Sequence, residues 1–319
     1  MRIGIHLTRR TALKVLAPIA SAIQRRGHDL VWRVVQSAVK SGEDMVVFEE
    51  LGRHWPNSKF FGGKHDVLIG IGSVLPPRCK TPQIAVDHFF DCWLSPRTDV
   101  EQVYHSDYHE LVATGYGGHS GCIVGWPNSD EVQPAQTRDS VVFFSLKLKV
   151  PEPWRRSREG QQEYRKMAEE TRDLAHSQGL AFIVKGREKN GDPRWLHDMA
   201  DAYYTDQHVA PYTSWRLLSR AAWCVHFESG AVYEAACAGS YSIALCVPNT
   251  HIIGLPGGSL QYGGGAEMHR WKGVSQYGLP KEGIPTVDSQ AREAFIAKFL
   301  GPCDGKVGER IVEIAEQLG

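Results

Sequence analysis

Between Trp223 and Gly239 the chain reads as a strand, a Glu228-Ser229-Gly230-Ala231 turn and a helix that carries Glu234. A tight Ser-Gly turn entering a helix leaves backbone N–H groups unpaired and pointing out of the sheet, backed by the positive end of the helix dipole. Ser229, Gly230 and Ala231 therefore form a candidate phosphate cradle, flanked by Glu228. Glu234, about one turn inside the helix, is placed to accept hydrogen bonds from a ribose while the turn holds a diphosphate. The competing assignment makes Ser229 a plain helix cap and puts Glu234 on a solvated face near a favourable dipole end.

A second group of polar residues gathers where the strands of the first half end. Ligands of open α/β sheets bind at those carboxyl ends, so His6, Ser73, Asp87 and His88 lie where a first-domain site would form. In Ala85-Val-Asp-His-Phe-Phe-Asp91 the His88 imidazole titrates near neutrality, and Asp87 or Asp91 can orient and polarise it. The alternative is a capping Asp beside a packed His. His119 belongs to a Gly-rich segment, residues 115–121, that could close over a substrate.

Other patterns exclude chemistry. Gly70-Ile71-Gly72-Ser73 lacks the third spaced glycine and the later acidic residue of a dinucleotide fingerprint, so close backbone packing explains it. The Gly-rich run 254–265 has no following Lys-Ser/Thr; it reads as a surface loop, either a lid or inert. The seven cysteines are odd in number and form no Cys-x-x-Cys pair, which fits reduced, mostly buried thiols and no structural metal.

These residues need elements to position them. The chain has 319 residues, 42% hydrophobic and 23% charged, with 36 Lys+Arg balancing 36 Asp+Glu; it is too apolar for disorder, and the balance gives no global pull toward nucleic acid or anionic membrane. No apolar run reaches membrane-spanning length, and Met1 to His6 enters a strand without a secretory leader pattern, so a cytoplasmic location is expected. Short β-branched runs alternate with helical patterns, the mark of an α/β fold. Strands are expected at 2–6, 29–35, 66–72 and 82–88, with a helix at 11–26 kinked by Pro18. The Pro-rich, aperiodic stretch 126–139 places a boundary near 138, giving an N-terminal Rossmann-like domain, 1–138, and a C-terminal one, 139–319. In the second half, strands are expected at 140–145, 180–185, 223–227 and 241–247, with helices at 159–177, 212–221, 231–238 and 309–318.

The run Ser219 to Gly239 resembles the donor-site signature of two-domain, GT-B-type glycosyltransferases: a helix, a strand, a Ser/Gly turn, and a helix with Glu-Ala followed by Gly. The group nearest in pattern includes glycerol-phosphate transferases and sugar-nucleotide 2-epimerases. Val112-Ala-Thr-Gly115, Val124 to Asp130 and Ile183-Val-Lys-Gly186 resemble further segments of that family.

The resemblance implies two Rossmann-like domains with parallel sheets facing a central cleft, and a last helix returning to the first domain. It implies a metal-independent transferase without a cofactor, using a nucleotide-diphosphate sugar as donor substrate and an acceptor hydroxyl. Ser229, Gly230 and Ala231 would hold the diphosphate, Lys185 or Arg187 would compensate its charge, and Glu234 would take the ribose. The base would be His88, with Asp87 and Asp91; His6, Ser73 and His119 would touch acceptor or phosphate. For Lys185 the alternative is snorkelling to water. Lys59 to Lys64 resembles a segment of phage-type DNA-base glucosyltransferases, and the basic stretch Lys147 to Arg158 carries Trp154, so modified DNA is a second acceptor class. A solvated loop offset by Glu152 and Glu159 is the alternative for that stretch. A sugar-nucleotide epimerase and a non-catalytic nucleotide-binding module are the rival functions.

Overall fold

The computed structural model describes residues 1–8, 12–35, 44–60 (side chains from 48), 64–72, 75–77, 79–87, 99–115, 118–132, 134–146, 157–186, 191–206, 212–246, 267–281 and 285–319. The chain divides into two compact units, Met1–Glu131 with Ala297–Gly319, and Val132–Ile296.

In the first unit the order is β1 (Arg2–Leu7), α1 (Leu13–Arg25), β2 (Asp29–Val34), α2 (Asp44–His54), β3 (Lys59–Phe60), β4 (Val67–Ile71), β5 (Gln83–Val86), β6 (Glu101–Tyr104), α3 (Asp107–Gly115) and β7 (Cys122–Ile123). The second unit runs β8 (Ser140–Phe144), α4 (Arg158–Ser177), β9 (Ala181–Lys185), α5 (Arg194–Met199), β10 (Ala202–Tyr204), α6 (Thr213–Leu218), β11 (Ala221–His226), α7 (Ala231–Ala238), β12 (Tyr241–Ala244) and β13 (Ser275–Tyr277). Helix α8 (Ser289–Phe299) contains the boundary residues Ile296 and Ala297, and α9 (Val307–Leu318) belongs to the first unit.

Both sheets are parallel throughout, ordered β3-β2-β1-β4-β5-β6-β7 and β10-β9-β8-β11-β12-β13. Counted within its own unit, each follows the 3-2-1-4-5-6 order of doubly wound α/β folds, so the expected α/β class with Rossmann-like sheets is observed. A sheet covered on both faces needs strands apolar on both faces, and Ile3, Ile5, Leu68, Ile69, Val141, Phe143 and Val225 are buried accordingly.

Helix α1 turns Leu13, Leu16, Ala17, Ala20 and Ile23 inward and continues through Pro18. Its last residue and those just beyond meet α9 in an exposed ion network: Arg25 pairs with Glu309, Arg26 with Glu309, Glu313 and Glu316, and His28 with Glu316. Asp130 accepts the N–H groups of Val307 and Gly308 at 3.0 and 2.7 Å, supplying partners that the first turn of α9 lacks internally.

One expected helix is shorter than its pattern. Residues 212–221 were assigned to it, yet α6 stops at Leu218 and β11 opens at Ala221. The Arg138 guanidinium draws in the carbonyls of Leu218, Ser219 and Ala221, replacing the helical donors those carbonyls would otherwise need. Among the described cysteines only Cys224 and Cys237 are buried; Cys79 and Cys303 are half-buried and Cys122 and Cys246 exposed, which corrects the expectation of mostly buried thiols. Among the described residues no helix is long and apolar enough to cross a membrane, and no three His, Cys, Asp or Glu side chains are grouped to hold a metal ion.

Candidate functional site

In the second unit the strand order reverses between β8 and β11, the kind of switch point beside which open α/β sheets bind their ligands. The chain leaves β11 through Phe227 and Glu228 and enters α7. Glu228 has φ 38°, the one non-glycine residue in the left-handed region among those described. A side chain held there costs of order 1–3 kcal/mol, and such costs are characteristic of positions where the backbone must take one shape.

The turn itself is more closed than the sequence implied. Ser229 N–H donates to His226 Nδ1 at 3.1 Å, and Ala231 N–H donates to Ser229 Oγ at 3.3 Å. Val232 N–H reaches Ser229 O and Tyr233 N–H reaches Gly230 O. Instead of several free donors, the turn leaves the Gly230 N–H outside the hydrogen bonds of the described residues. The N-cap position itself is Gly230, which has no side chain to cap the helix, so the Ser229 hydroxyl braces the turn one residue before it.

Glu234 settles differently. All eight residues of α7 are buried, Glu234 at 2% exposure, which overturns the solvated-face alternative. Its carboxylate bears on Cys224 of β11, whose thiol is pushed well above its ordinary range by burial first and by Glu234 second. The other end of α7 is capped by two guanidiniums. Arg138 donates to Ala238 O at 2.6 Å, and Arg292 donates to Ala236 O and Cys237 O at 2.5 and 2.7 Å. Cations there complement the helix dipole, and Gly239, at φ 70°, terminates the helix with no Cβ to strike the Arg138 Nη2 atom 2.9 Å away.

Lys185, ending β9, is 4% exposed; its Nζ lies 2.7 Å from Asp206 Oδ1 and donates to Gly186 O at 2.8 Å. It does not snorkel to water, and its charge is already balanced by a neighbouring carboxylate. Gly186 must be glycine because a Cβ would sit 1.9 Å from the Tyr203 hydroxyl, which donates to Asp192 at 2.8 Å. Burial and the Asp192 carboxylate hold that phenol above its ordinary range.

Five residues absent from the sequence reading gather around the Glu228 turn. His226 is fully buried, with Nε2 2.8 Å from Ser242 Oγ and its ring 5.3 Å from that of His269. The His269 ring lies 5.8 Å from Tyr277, whose phenol is held above its ordinary range by burial and then by Glu228. Desolvation of its sulfur, followed by the Glu228 carboxylate 3.7 Å away, pushes the Cys246 thiol up to about 11. Arg270, exposed and without an ion pair among the described residues, places its guanidinium 4.9 Å from the Tyr277 ring centre and lowers the Tyr277 and Cys246 values. His226 ends its strand, the same signal that singled out Lys185; Cys246 falls near the end of the expected strand 241–247, and His269, Arg270 and Tyr277 sit on short elements with no readable pattern.

In the first unit, Asp87 follows β5 at 1% exposure, and its Oδ2 lies 2.7 Å from Nε2 of the fully buried His109. His109 Nδ1 accepts the His105 N–H at 3.1 Å, so the proton of the neutral ring sits on Nε2, facing Asp87 Oδ2. Among the described residues, Asp87 therefore faces the His109 imidazole of α3. His88, Asp91, Ser73 and Arg187 lie outside the described residues, as do 147–156 and 254–265. His6 lies within β1, buried, its Cβ so near Gly70 that any side chain there would crowd it at 3.0 Å. His119 is half-buried and its carbonyl accepts the Tyr104 hydroxyl.

No protein-family model matches the sequence, and no curated protein matches it. Solved structures do match over nearly the full length. S. aureus MnaA in a co-structure with UDP is 11% identical, with 99% of this chain and 96% of that one covered, at a TM-score of 0.57. The UDP-GlcNAc 2-epimerase of Methanocaldococcus jannaschii, in complex with UDP-GlcNAc and UDP, is 12% identical over 99% and 100% of the two chains, also at 0.57. The glycosyltransferase SnogD of Streptomyces nogalater is 10% identical over 98% and 99%, at 0.51. The chain has the GT-B-type fold these proteins share, as the resemblance of its donor-site signature implied.

Proposed function

We propose that this chain is a nucleotide-sugar enzyme that transfers a sugar from a nucleotide-diphosphate donor to an acceptor hydroxyl. The observation that carries the reading is the left-handed Glu228 turn at the switch point of the second sheet, running into the fully buried helix α7 with Glu234 inside its first turn. The second unit takes the donor: the Gly230 N–H and the α7 dipole meet the diphosphate, and Glu234 meets the ribose. The compensating cation is Arg187 or Arg270, since the Lys185 charge is already paired with Asp206 and Arg270 stands exposed over Tyr277. A guanidinium, a free N–H and a helix dipole together stabilise a leaving diphosphate in an oxocarbenium-like transfer without a metal ion. The first unit takes the acceptor, with His88 as base and Asp87 or Asp91 as its orienting carboxylate.

The second reading is an epimerase of the same fold, which would eliminate and re-add the nucleotide diphosphate. One experiment opens both. The purified protein is screened by thermal shift against UDP, GDP, CDP, ADP and their sugar conjugates; a ligand at a hundred times its Kd adds about 2.7 kcal/mol of apparent stability. A selective upward shift with one base supports the donor site, and no shift with any saturating nucleotide overturns it. Release of nucleotide only when an acceptor is present marks a transferase, whereas isomerised sugar without acceptor marks an epimerase.

A further inference from the structure

We propose that His226 is the positioning residue that sets the shape of the donor turn, through its neutral Nε2–H tautomer; this rests on the nucleotide-sugar reading above. The imidazole spans two elements. Its Nδ1 accepts the Ser229 N–H at 3.1 Å, and its Nε2 faces Ser242 Oγ of β12 at 2.8 Å. An Nδ1 that accepts a backbone amide carries no proton, so the hydrogen sits on Nε2 and is donated to Ser242.

The geometry gives this pair of bonds a task. Residue 228 takes a backbone conformation unfavourable for a side chain, and an unfavourable conformation persists only where its surroundings over-determine it. The Ser229 amide is the first donor after Glu228, and His226 is the acceptor that fixes it. Released, that amide would be free to rotate with the 228–229 peptide, and the chain about Glu228 would no longer be held in the left-handed conformation. The Gly230 N–H and the start of α7 would then lose their direction. His226 is itself held by packing: it is fully buried at the end of β11, with Ser242 on one side and the His269 ring 5.3 Å away on another.

Among the described residues, the titratable ring packed against it is His269, with Tyr277 beyond. A proton added at Nδ1 would remove the acceptor for Ser229. The inference is therefore that nucleotide affinity depends on an acceptor at the Nδ1 position, rather than on the imidazole volume or on any contact of His226 with the ligand.

The test uses three variants of the full chain. His226→Asn places an amide oxygen near the Nδ1 position and keeps the acceptor; His226→Leu keeps bulk and removes it; Ser242→Ala leaves Nδ1 accepting but frees Nε2. Two readouts run in parallel: affinity for the nucleoside diphosphate that gives the largest thermal shift, and hydrogen exchange of the peptide spanning residues 227–233. Expected are a loss of affinity of about tenfold or more and faster exchange in His226→Leu, recovery of both in His226→Asn, and a smaller effect in Ser242→Ala. If His226→Leu fails to fold, the contrast between His226→Asn and Ser242→Ala still decides: Ser242→Ala weaker than wild type with His226→Asn near it supports the proposal. Wild-type affinity and exchange in His226→Leu, or equal losses in His226→Leu and His226→Asn, would overturn it. Should wild type bind no nucleoside diphosphate, the donor reading falls by itself, and the exchange data still decide whether His226 holds the turn.

Discussion

Replacing Arg138 by Met tests how firmly α7 is held at the end remote from the donor turn. The guanidinium contacts four carbonyls, those of Leu218, Ser219, Ala221 and Ala238, and the Ser240 hydroxyl. Three of those carbonyls keep a partner when it is gone: Ser240 Oγ faces Leu218 O and Ala221 O at 2.8 Å, and Ala135 N–H reaches Ser219 O. Ala238 O loses the only hydrogen bond it makes among the described residues. An orphaned buried carbonyl costs about 1–3 kcal/mol, and each weakened charge-assisted bond adds roughly 0.5–1 kcal/mol. Against this, burial and the neighbouring Arg292 lower the Arg138 pKa, so removing the cation returns part of its desolvation cost. The balance is a destabilisation of about 3 kcal/mol, or roughly 6–12 °C in Tm for a unit of this size. Calorimetry reads the shift, and hydrogen exchange of residues 231–246 shows whether it arises at α7. A loss below about 1 kcal/mol with unchanged exchange there would refute the capping argument.

Three further outcomes follow from the same geometry. With the Cys246 thiol pushed up to about 11, its alkylation, followed by mass spectrometry, should rise with pH toward that value; Glu228→Gln removes the second cause and should speed alkylation at pH 8 by roughly tenfold. An unchanged rate would separate Glu228 from the thiol. Asp87→Leu removes the buried carboxylate facing His109 Nε2 and should lower the stability of the first unit by about 3 kcal/mol in urea, whereas Asp87→Asn, which keeps a polar group there, should cost about 1 kcal/mol. Arg270→Gln should weaken nucleoside-diphosphate affinity about tenfold while leaving Tm within about 2 °C, because the side chain is exposed; unchanged affinity would move the cation of the donor site elsewhere.

What the sequence made legible tracks how far each element depends on its own residues. The long apolar strands β1, β4, β8 and β11, and helices α1 and α4, follow from local periodicity, because burial on both sheet faces or along one helix stripe repeats over many residues. Strands β3 and β7 have two residues each, and β10 and β13 three; their existence depends on a neighbouring strand offering hydrogen bonds, which no local window records.

The site divides along the same line. Ser229, Gly230 and Glu234 belong to one contiguous turn and helix, so they were found together. His226, Cys246, Arg270 and Tyr277 converge from four strand ends or turns scattered over residues 226–277, and a parallel sheet brings them together only through its strand order. Pairing was the least legible property. Asp87 follows β5, and its carboxylate faces His109 of α3, a neighbour more than twenty residues away that no local window of sequence records. Lys185 shows the converse: a strand-end lysine ordinarily reaches water, but here Asp206 stands 2.7 Å from its Nζ, and the buried charge is balanced without a ligand. The donor reading therefore looks for its cation among residues whose charge is not so balanced, and Arg270, exposed and over the Tyr277 ring, is one of the two proposed.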